Sequence, residues 1–360
     1  METDVRSESY PPVNGKIKIG SSAKENWREA VAQFRRPSLT KSGWQIINTF
    51  VPYVLIGCLM YLSLSYSFWL MLALAPIAAG FRVRLFIIFH DCGHGAFFKS
   101  NKANDIVGFI CGCLCLTPYQ KWRHGHAIHH ATSGNLERRV SGTLSPMSIK
   151  TYAQNTGAIL TLTVNEYRQL SGRERLMYRL YRHPLVLFVV IPLVLFVVIH
   201  RLTSPGDTKA ERNSVWATNL TLVLTTLVMG YWLGFGPFLL VETLVIVLTA
   251  MAGVWMFYVQ HQFEETYWEQ KAEWDFGAAA LQGSSYYKLP AVLQWFTGNI
   301  GFHHIHHLSP RIPNYRLQKC HESNALFQQT HPITLWGGMR TIPLKLWDEE
   351  KHKMVSFRRL

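Results

Sequence analysis

The amino-acid sequence predicts an all-α integral membrane protein with four transmembrane helices, shorter re-entrant or interfacial segments and a cytosolic helical cap. Two observations lead to this fold class. Charged residues make up only 16% of the 360 residues, whereas soluble domains carry about 25%. Four apolar runs are also long enough, at about 1.5 Å per helical residue, to cross a hydrocarbon core of about 30 Å.

The four predicted spans form two pairs, each joined by a short uncharged link. The first pair covers residues 46–65 and 68–89, and the second pair covers residues 215–235 and 237–260. Arg82 and Arg84 lie near the far end of the second span, and we expect their head groups to extend to the membrane surface. Glu242 lies in the fourth span and is expected to be exposed at the outer interface.

Two shorter apolar pieces are not predicted to cross. Residues 106–116 are too few, and residues 184–199 carry Pro192 at their centre and basic residues on both flanks. The positive-inside rule places both flanks in the cytosol, which predicts a re-entrant hairpin. Residues 167–181 mix apolar side chains with arginines and are predicted to form an interfacial amphipathic helix.

The predicted organisation has three parts. Residues 1–45 form a cytosolic segment without a secretory signal, residues 46–260 form the membrane region with cytosolic loops between spans, and residues 261–360 form a cytosolic cap. The six cysteines show no paired spacing, so no disulfide is expected. The net charge of +14 is attributed to lipid contact and membrane sidedness rather than to nucleic acid. The expected location is the cytoplasmic membrane.

Histidines are concentrated in three short boxes. HDCGH places two imidazoles one helical turn apart, and HAIHH and HHIHH each place three at positions i, i+3 and i+4, so the side chains of each box share one helix face. The eight box histidines are His90, His94, His126, His129, His130, His303, His306 and His307. A single histidine pair is often structural, but three boxes on one side of a membrane indicate a metal site.

Eight imidazoles exceed what one ion can bind, because zinc sites take only three or four protein ligands. We therefore predict two metals, and a pair of redox-active irons held by nitrogen is the simplest interpretation. His261, just beyond the fourth span, is predicted to complete the set of ligands. The residues predicted to surround and orient the ligands are Asp91, Glu137, Asn299, His124 and His304.

The segments around the boxes carry a wider likeness. FIIFHDCGHGAFF, HAIHHATSGNLERR, FYVQHQFEETYW and GFHHIHHLSPRIPNYRL resemble the integral-membrane fatty acid desaturases, and within them the bacterial acyl-lipid delta-5 phospholipid desaturases. The likeness extends over nearly the whole chain from about Arg36. It implies two irons bound by the eight box histidines and His261. Two departures are Gly93, at a box position that varies in the family, and residues 140–158, a longer stretch than expected.

The resemblance implies that the protein uses O₂ to introduce a cis double bond into an acyl chain of membrane phospholipid, with delta-5 as the favoured position. The sequence has neither a Gly-rich dinucleotide fingerprint nor an iron–sulfur cysteine pattern, so an external donor such as ferredoxin or flavodoxin is expected. Two alternatives stay open. One is a triple-box hydroxylase of an alkane, sterol or carotenoid; the other is a metal transporter, whose ligands would lie at the bilayer midplane.

Overall fold

The computed structural model describes residues 21–139, 144–145, 148–149, 158–330 and 332–359. Helices α1 to α5 are Ser21–Ala32, Leu39–Leu64, Phe68–Gly93, Asn101–Leu114 and Tyr119–Thr132. Helices α6 to α10 are Val164–Gln169, Gly172–Tyr181, Val186–Arg201, Lys209–Leu233 and Phe235–His261. Helices α11 to α15 are Phe276–Gln282, Ala291–Phe296, His303–Leu308, Asn314–Glu322 and Leu335–Thr341. Most of residues 140–158, the stretch predicted to be long, lie outside the described residues.

The four predicted spans correspond to α2, α3, α9 and α10, which are the helices long and apolar enough to cross a membrane among the described residues. Flanking residues lengthen α2 and α9 at their starts and α3 at its end, whereas α2 and α9 end one and two residues before the predicted bounds. Helix α9 begins in a capping box, in which the Thr208 hydroxyl accepts from the Glu211 N–H and the Glu211 carboxylate accepts from the Thr208 N–H. The predicted class of an all-α membrane protein with four candidate spanning helices is confirmed, and all six cysteines are free thiols.

The two arginines of α3 do not reach the membrane surface as predicted. Arg82 and Arg84 are only 3% and 7% exposed. Arg82 donates to the Glu242 carboxylate at 2.6 Å and to the Tyr53 hydroxyl. The Glu242 side chain is partly exposed, at 29%, but it is held in this ion pair rather than being simply exposed as expected. Arg84 donates to the Thr49 hydroxyl at 3.1 Å. Neighbouring helices supply these partners, and a charge with polar partners can be buried within a helix bundle.

The apolar piece around Pro192 is one helix, α8, without a reversal at the proline. Turns of π-helix stand on both sides of Pro192, where wider turns accommodate a residue that has no N–H to donate. The change of direction comes earlier, as a 59° bend between α7 and α8. By length and composition, α7 and α8 together can be counted as a fifth, broken span or as a re-entrant segment.

The predicted amphipathic helix at residues 167–181 is split in two. Helix α6 ends at Gln169, and α7 begins after Ser171. The Ser171 hydroxyl accepts from the Glu174 N–H, while the Glu174 carboxylate accepts from the Ser171 N–H. This capping box satisfies the free donors of a new helix, so the chain restarts there rather than continuing.

Short strands pair segments that are distant in the sequence with the C-terminal residues. In the part of the chain that the structure describes, the strands β1 to β5 are Leu162–Thr163, Tyr286–Lys288, Pro332–Thr334, Leu346–Asp348 and Lys353–Val355. They form a three-stranded sheet in the order β1-β4-β5, in which Leu162 pairs with Leu346, and a separate parallel β2-β3 pair. The β2-β3 pair lies in an apolar core that includes Phe302 and Ile305 of the α13 region. The β1-β4-β5 sheet packs in a second core with Tyr167 of α6 and Tyr178 of α7.

Candidate metal centre

Four helices bring the nine predicted ligands to one end of the bundle. His90 lies in the last turn of α3 and His94 caps that helix, while His261 is the last residue of α10. Helix α5 carries His126, His129 and His130, and the short α13 carries His303, His306 and His307. Because α3 and α10 pack against each other and end on the same side, the structure brings all nine imidazoles together.

Five of these residues form what we call the five-histidine group: His90, His94, His126, His130 and His306. Their ring nitrogens all lie within 4.8 Å of one another. The Nε2 atom of His126 lies 3.0 Å from Nε2 of His90 and 3.2 Å from Nε2 of His130. The Nε2 atoms of His306 and His130 are 2.9 Å apart. The group therefore draws on all three boxes.

The other four residues form what we call the four-histidine group: His129, His261, His303 and His307. Their ring nitrogens also lie within 4.8 Å of one another, and all four residues are buried. The Nε2 atom of His261 lies 3.1 Å from Nε2 of His129 and 3.0 Å from Nε2 of His303. This group combines the second and third boxes with the histidine that ends α10.

The imidazoles cannot satisfy one another by hydrogen bonding. A ring nitrogen of neutral imidazole either donates one hydrogen bond or accepts one, yet Nε2 of His126 and of His261 each face two other Nε2 atoms. The Nε2 atoms of His94 and His307 are buried with no hydrogen-bond partner among the described residues. At metal–nitrogen distances of about 2.0–2.1 Å, neighbouring ligand atoms lie about 3 Å apart. Both groups therefore fit a bound metal ion.

Burial keeps these rings in the form that binds metals. Desolvation, and then repulsion from the neighbouring rings, lowers the pKa of the box histidines outside the spans well below its usual value. This applies to His94, His126, His129, His130, His303, His306 and His307. The rings are consequently neutral at neutral pH, and neutral imidazole is the species that binds a metal.

In each group, one histidine has a polar group next to its Nδ1 atom, the ring nitrogen that faces away from the other histidines. The Asp91 carboxylate lies 3.4 Å from Nδ1 of His90, and it accepts from the Asn314 backbone N–H at 2.7 Å and side-chain amide at 2.8 Å. Nδ1 of His261 lies 3.1 Å from the Gly283 carbonyl oxygen. Such partners determine which ring nitrogen faces the metal.

The other residues predicted to orient the ligands have partners outside the two groups. Glu137 accepts from the Lys271 N–H at 3.1 Å, and Nδ1 of His124 lies 2.5 Å from Glu211. Nε2 of His304 lies 3.0 Å from His321. Asn299 does not contact the histidines directly. Its amide donates at 3.4 Å to the carbonyl of Asn314, the residue that donates to Asp91. Residues 124 and 304 lie off the face that the box spacing defines.

Sequence reasoning missed Trp122 and Asn314. The Trp122 ring stacks on His126 with centroids 4.3 Å apart. The spacing of four residues on one helix indicates this contact already in the sequence. Gly93 makes room for this ring, because a Cβ atom there would lie 2.9 Å from the indole. Asn314 had no comparable signal, since 223 positions separate it from Asp91.

A largely apolar cavity of about 680 Å³ lies beside the histidines, within the usual range for ligand pockets of about 300–1,000 Å³. His90, His126 and His303 reach its wall, so both groups border it. The remaining lining comes mainly from α3, α8 and α10, with Phe86 and Phe257 close to the histidines in sequence. The arrangement suits a long apolar molecule held next to two metal ions.

Comparisons with known proteins agree with this geometry. The family model described as "Fatty acid desaturase" matches residues 67–337. A fatty acid desaturase of Bacillus subtilis (strain 168) is 44% identical over 328 residues, which cover 91% of this chain and 89% of that protein.

More distant relatives include two cyanobacterial enzymes. The sn-1 oleoyl-lipid 12-desaturase of Synechocystis sp. is 28% identical, with 73% of this chain and 71% of that protein covered. The sn-1 acyl-lipid omega-3 desaturase (ferredoxin) of Nostoc sp. (strain 36) is 25% identical, with 81% and 77% covered. With four candidate spans and two histidine groups able to hold metal, the chain belongs to the fatty acid desaturase family of multi-pass membrane oxidoreductases.

Proposed function

We propose that this protein uses O₂ to introduce one cis double bond into an acyl chain of membrane phospholipid, at a centre of two iron ions held by the nine histidines. The observation that carries the proposal is the position of both histidine groups on the wall of one apolar cavity. The acyl-lipid substrates in the names of two relatives support a lipid rather than a soluble thioester.

The choice of iron rests on the ligands and the reaction. Imidazole ligands suit zinc, copper, iron and nickel alike, but removing hydrogen from an unactivated carbon chain requires a redox-active metal. When bound, the irons supply the O₂-dependent oxidising power that the side chains lack. Box histidines on three different helices hold the two ions in a fixed relation to the cavity.

The residues of the cavity wall position the acyl chain. Apolar side chains of α3, α8 and α10 exclude water and hold the acyl chain by packing alone, so the chain's position follows from the shape of the cavity. Stacked against His126, Trp122 also lines the cavity and limits how a chain can bend there. We propose delta-5 as the position of the new bond, on the strength of the family resemblance.

The electrons come from an external carrier such as ferredoxin or flavodoxin, and the histidine end of the protein faces the cytosol. The relative from Nostoc, whose name includes ferredoxin, supports the first statement. Basic residues are in excess before and after α8, for example Arg173, Arg175 and Arg212, and this excess favours an acidic carrier. The same excess supports the orientation, since basic loops remain on the cytosolic side.

Product analysis tests the reaction directly. The protein is expressed in a host without this unsaturated product, with O₂ and reduced ferredoxin or flavodoxin supplied, and the phospholipid acyl chains are analysed by gas chromatography of derivatised methyl esters. We expect one new cis double bond and no hydroxylated chains. Hydroxy-acids or terminal alcohols would instead identify a hydroxylase, while a bond at another carbon would overturn only the delta-5 assignment.

Metal analysis tests the centre separately. We expect about two irons per chain in active purified protein, because the two histidine groups are distinct. Zinc, or a single iron, in fully active protein would contradict the di-iron proposal.

Cysteine labelling tests the orientation. Ser100, Ser171 and Ser323 are exposed and lie at the histidine end, whereas Ser309 is buried and unsuitable. In a background without the exposed Cys58, cysteines at the three exposed positions should react with a membrane-impermeant thiol reagent only from the cytosolic side. Tyr66→Cys, in the link between α2 and α3, is the control that should react from outside, and the reverse pattern would reject the orientation.

A further inference from the structure

A second cleft lies on the face of α3 opposite the acyl cavity. Arg82 and Val83 line the cavity, whereas Arg84 lines a cleft of about 630 Å³ formed with α2, α12 and α14. Residues two apart on a helix point about 200° away from each other, so the two spaces are separated by the helix itself. No role in the proposed reaction accounts for this cleft.

The cleft contains a buried cation without an anionic partner. Arg84 donates to the Thr49 hydroxyl, to the Trp295 carbonyl and, at 3.5 Å, to the side-chain oxygen of Asn48. Its guanidinium lies 4.0 Å from the centroid of the Trp295 ring. These partners are neutral, and no carboxylate in the described ranges forms an ion pair with Arg84. Burying a charge without a counter-charge is costly, so an anion in the cleft would stabilise this arginine.

A buried donor in the same cleft also lacks a partner. Gln45 is only 3% exposed, and its side-chain oxygen accepts from the Asn314 amide at 3.1 Å. That bond assigns the remaining amide nitrogen, Nε2, as a donor, and this atom is buried without a hydrogen-bond partner among the described residues. An unmade buried hydrogen bond destabilises a protein. A ligand with acceptor oxygens would satisfy it, and Lys41 at the rim adds a second positive charge.

The aromatic residues of the cleft indicate its depth in the membrane. Trp44 and Trp295 line it and are exposed, and exposed tryptophans mark the level of the lipid head groups. Lys41 lies in the first turn of α2 and Arg84 in the half of α3 nearest the histidines. The cleft is therefore at the head-group level on the histidine side, where anionic lipids attract basic residues.

We propose that this cleft binds the phosphate group of an anionic membrane phospholipid, at a site distinct from the acyl cavity. Gln45 bonds to Asn314, which donates twice to Asp91 beside His90. A lipid bound at Gln45 is thus connected to His90 of the five-histidine group through the side chains of Gln45, Asn314 and Asp91. The binding does not depend on the proposed reaction and can be measured without it.

Thermal unfolding of the full-length protein in neutral detergent tests the proposal. Phosphatidylglycerol, phosphatidylcholine and inorganic phosphate are titrated separately. We expect phosphatidylglycerol to raise the unfolding temperature, with a much smaller effect of phosphatidylcholine and none of inorganic phosphate at millimolar concentration. An equal effect of inorganic phosphate would overturn the assignment to a lipid, and no effect of any of the three would overturn the site.

Three variants locate the effect. Gln45→Glu keeps the oxygen that accepts from Asn314 but replaces the free donor with an anionic acceptor, so the shift with phosphatidylglycerol should disappear. Lys41→Ala, at an exposed position, should weaken lipid binding about five-fold, the factor for one basic residue near a membrane. Lys102→Ala, an exposed lysine outside the cleft, should behave as the wild type.

Lys41→Ala keeps the test decisive if Gln45→Glu fails to fold, because Lys41 is exposed and its ammonium lies over the Tyr315 ring, 5.7 Å from the centroid, rather than in the buried core. Lipid binding by Lys41→Ala equal to that of Lys102→Ala would overturn the proposal.

Discussion

The two histidine groups differ in the number of rings and in their exposure to solvent. Two residues of the five-histidine group, His94 and His126, are partly exposed, whereas every residue of the four-histidine group is buried. Their orienting partners differ as well. His90 has a carboxylate beside it, and His261 has the backbone carbonyl of Gly283. One group is therefore richer in ligands and more accessible, and the other is smaller and buried.

This difference predicts that the two groups tolerate the loss of one histidine ligand unequally. A group that loses one of five nitrogen ligands keeps four, whereas a group that loses one of four keeps only three. The side chain of Asp91 can be replaced, but a backbone carbonyl cannot be removed by a side-chain substitution. The following experiments separate the two groups by these properties.

Removal of one ring from each group should have the largest effect. His94→Ala and His307→Ala should each reduce turnover by more than about 100-fold, because the loss of an orienting partner alone costs about 10- to 100-fold. Iron content should separate the variants, with His307→Ala losing close to one iron and His94→Ala losing less. Product analysis and iron determination on the same preparations provide the measurement.

His183→Ala, at an exposed histidine outside both groups, is the matched control for these variants. Equal iron loss in His94→Ala and His307→Ala would show that the number of ligands does not distinguish the groups.

Asp91→Asn should reduce turnover by about 10- to 100-fold. The substituted amide has one acceptor oxygen for the Asn314 donors and for His90, so a donor must face a donor. Mössbauer spectroscopy of the iron-loaded protein should show one of two iron signals changed, that of the five-histidine group.

Glu137→Gln, at a carboxylate whose partner is the Lys271 backbone, should leave both signals and turnover unchanged. A change in both iron signals of Asp91→Asn would mean that the groups do not respond separately.

Chelation should remove iron in two phases of similar amplitude. The partly exposed residues His94 and His126 of the five-histidine group give a chelator access, whereas the buried four-histidine group must open first. Iron loss followed over time at neutral pH checks this expectation, and a single phase would show that both groups open together.

Replacing His124 should have the smallest effect. Its ring is 57% exposed and lies against Glu211, and such pairs contribute about 0–1 kcal/mol. His124→Ala should keep its iron and nearly all its turnover, with a small decrease in unfolding temperature. Loss of iron would place His124 among the ligands after all.

The spans and boxes could be predicted because their signals are local. Hydropathy over about 20 residues identifies α2 and α3, and the spacing within HAIHH already places three rings on one face. Contacts between distant segments could not be predicted in this way. The bonds from Asn314 to Asp91 and from Arg82 to Glu242 join residues 223 and 160 positions apart. Strands of two or three residues are likewise too short to show alternation.

The ion pair between buried Arg82 and partly exposed Glu242 has a consequence for biogenesis. The two residues belong to different pairs of spans, so α3 leaves the translocon before α10, which carries its counter-charge, has been synthesised. A lone charge at the centre of a membrane helix costs about 2.5–3.5 kcal/mol in insertion. The charge of Arg82 therefore has no counter-charge in the first helix pair until the second pair has been inserted. Formation of the ion pair with Glu242 then joins the two helix pairs into one bundle.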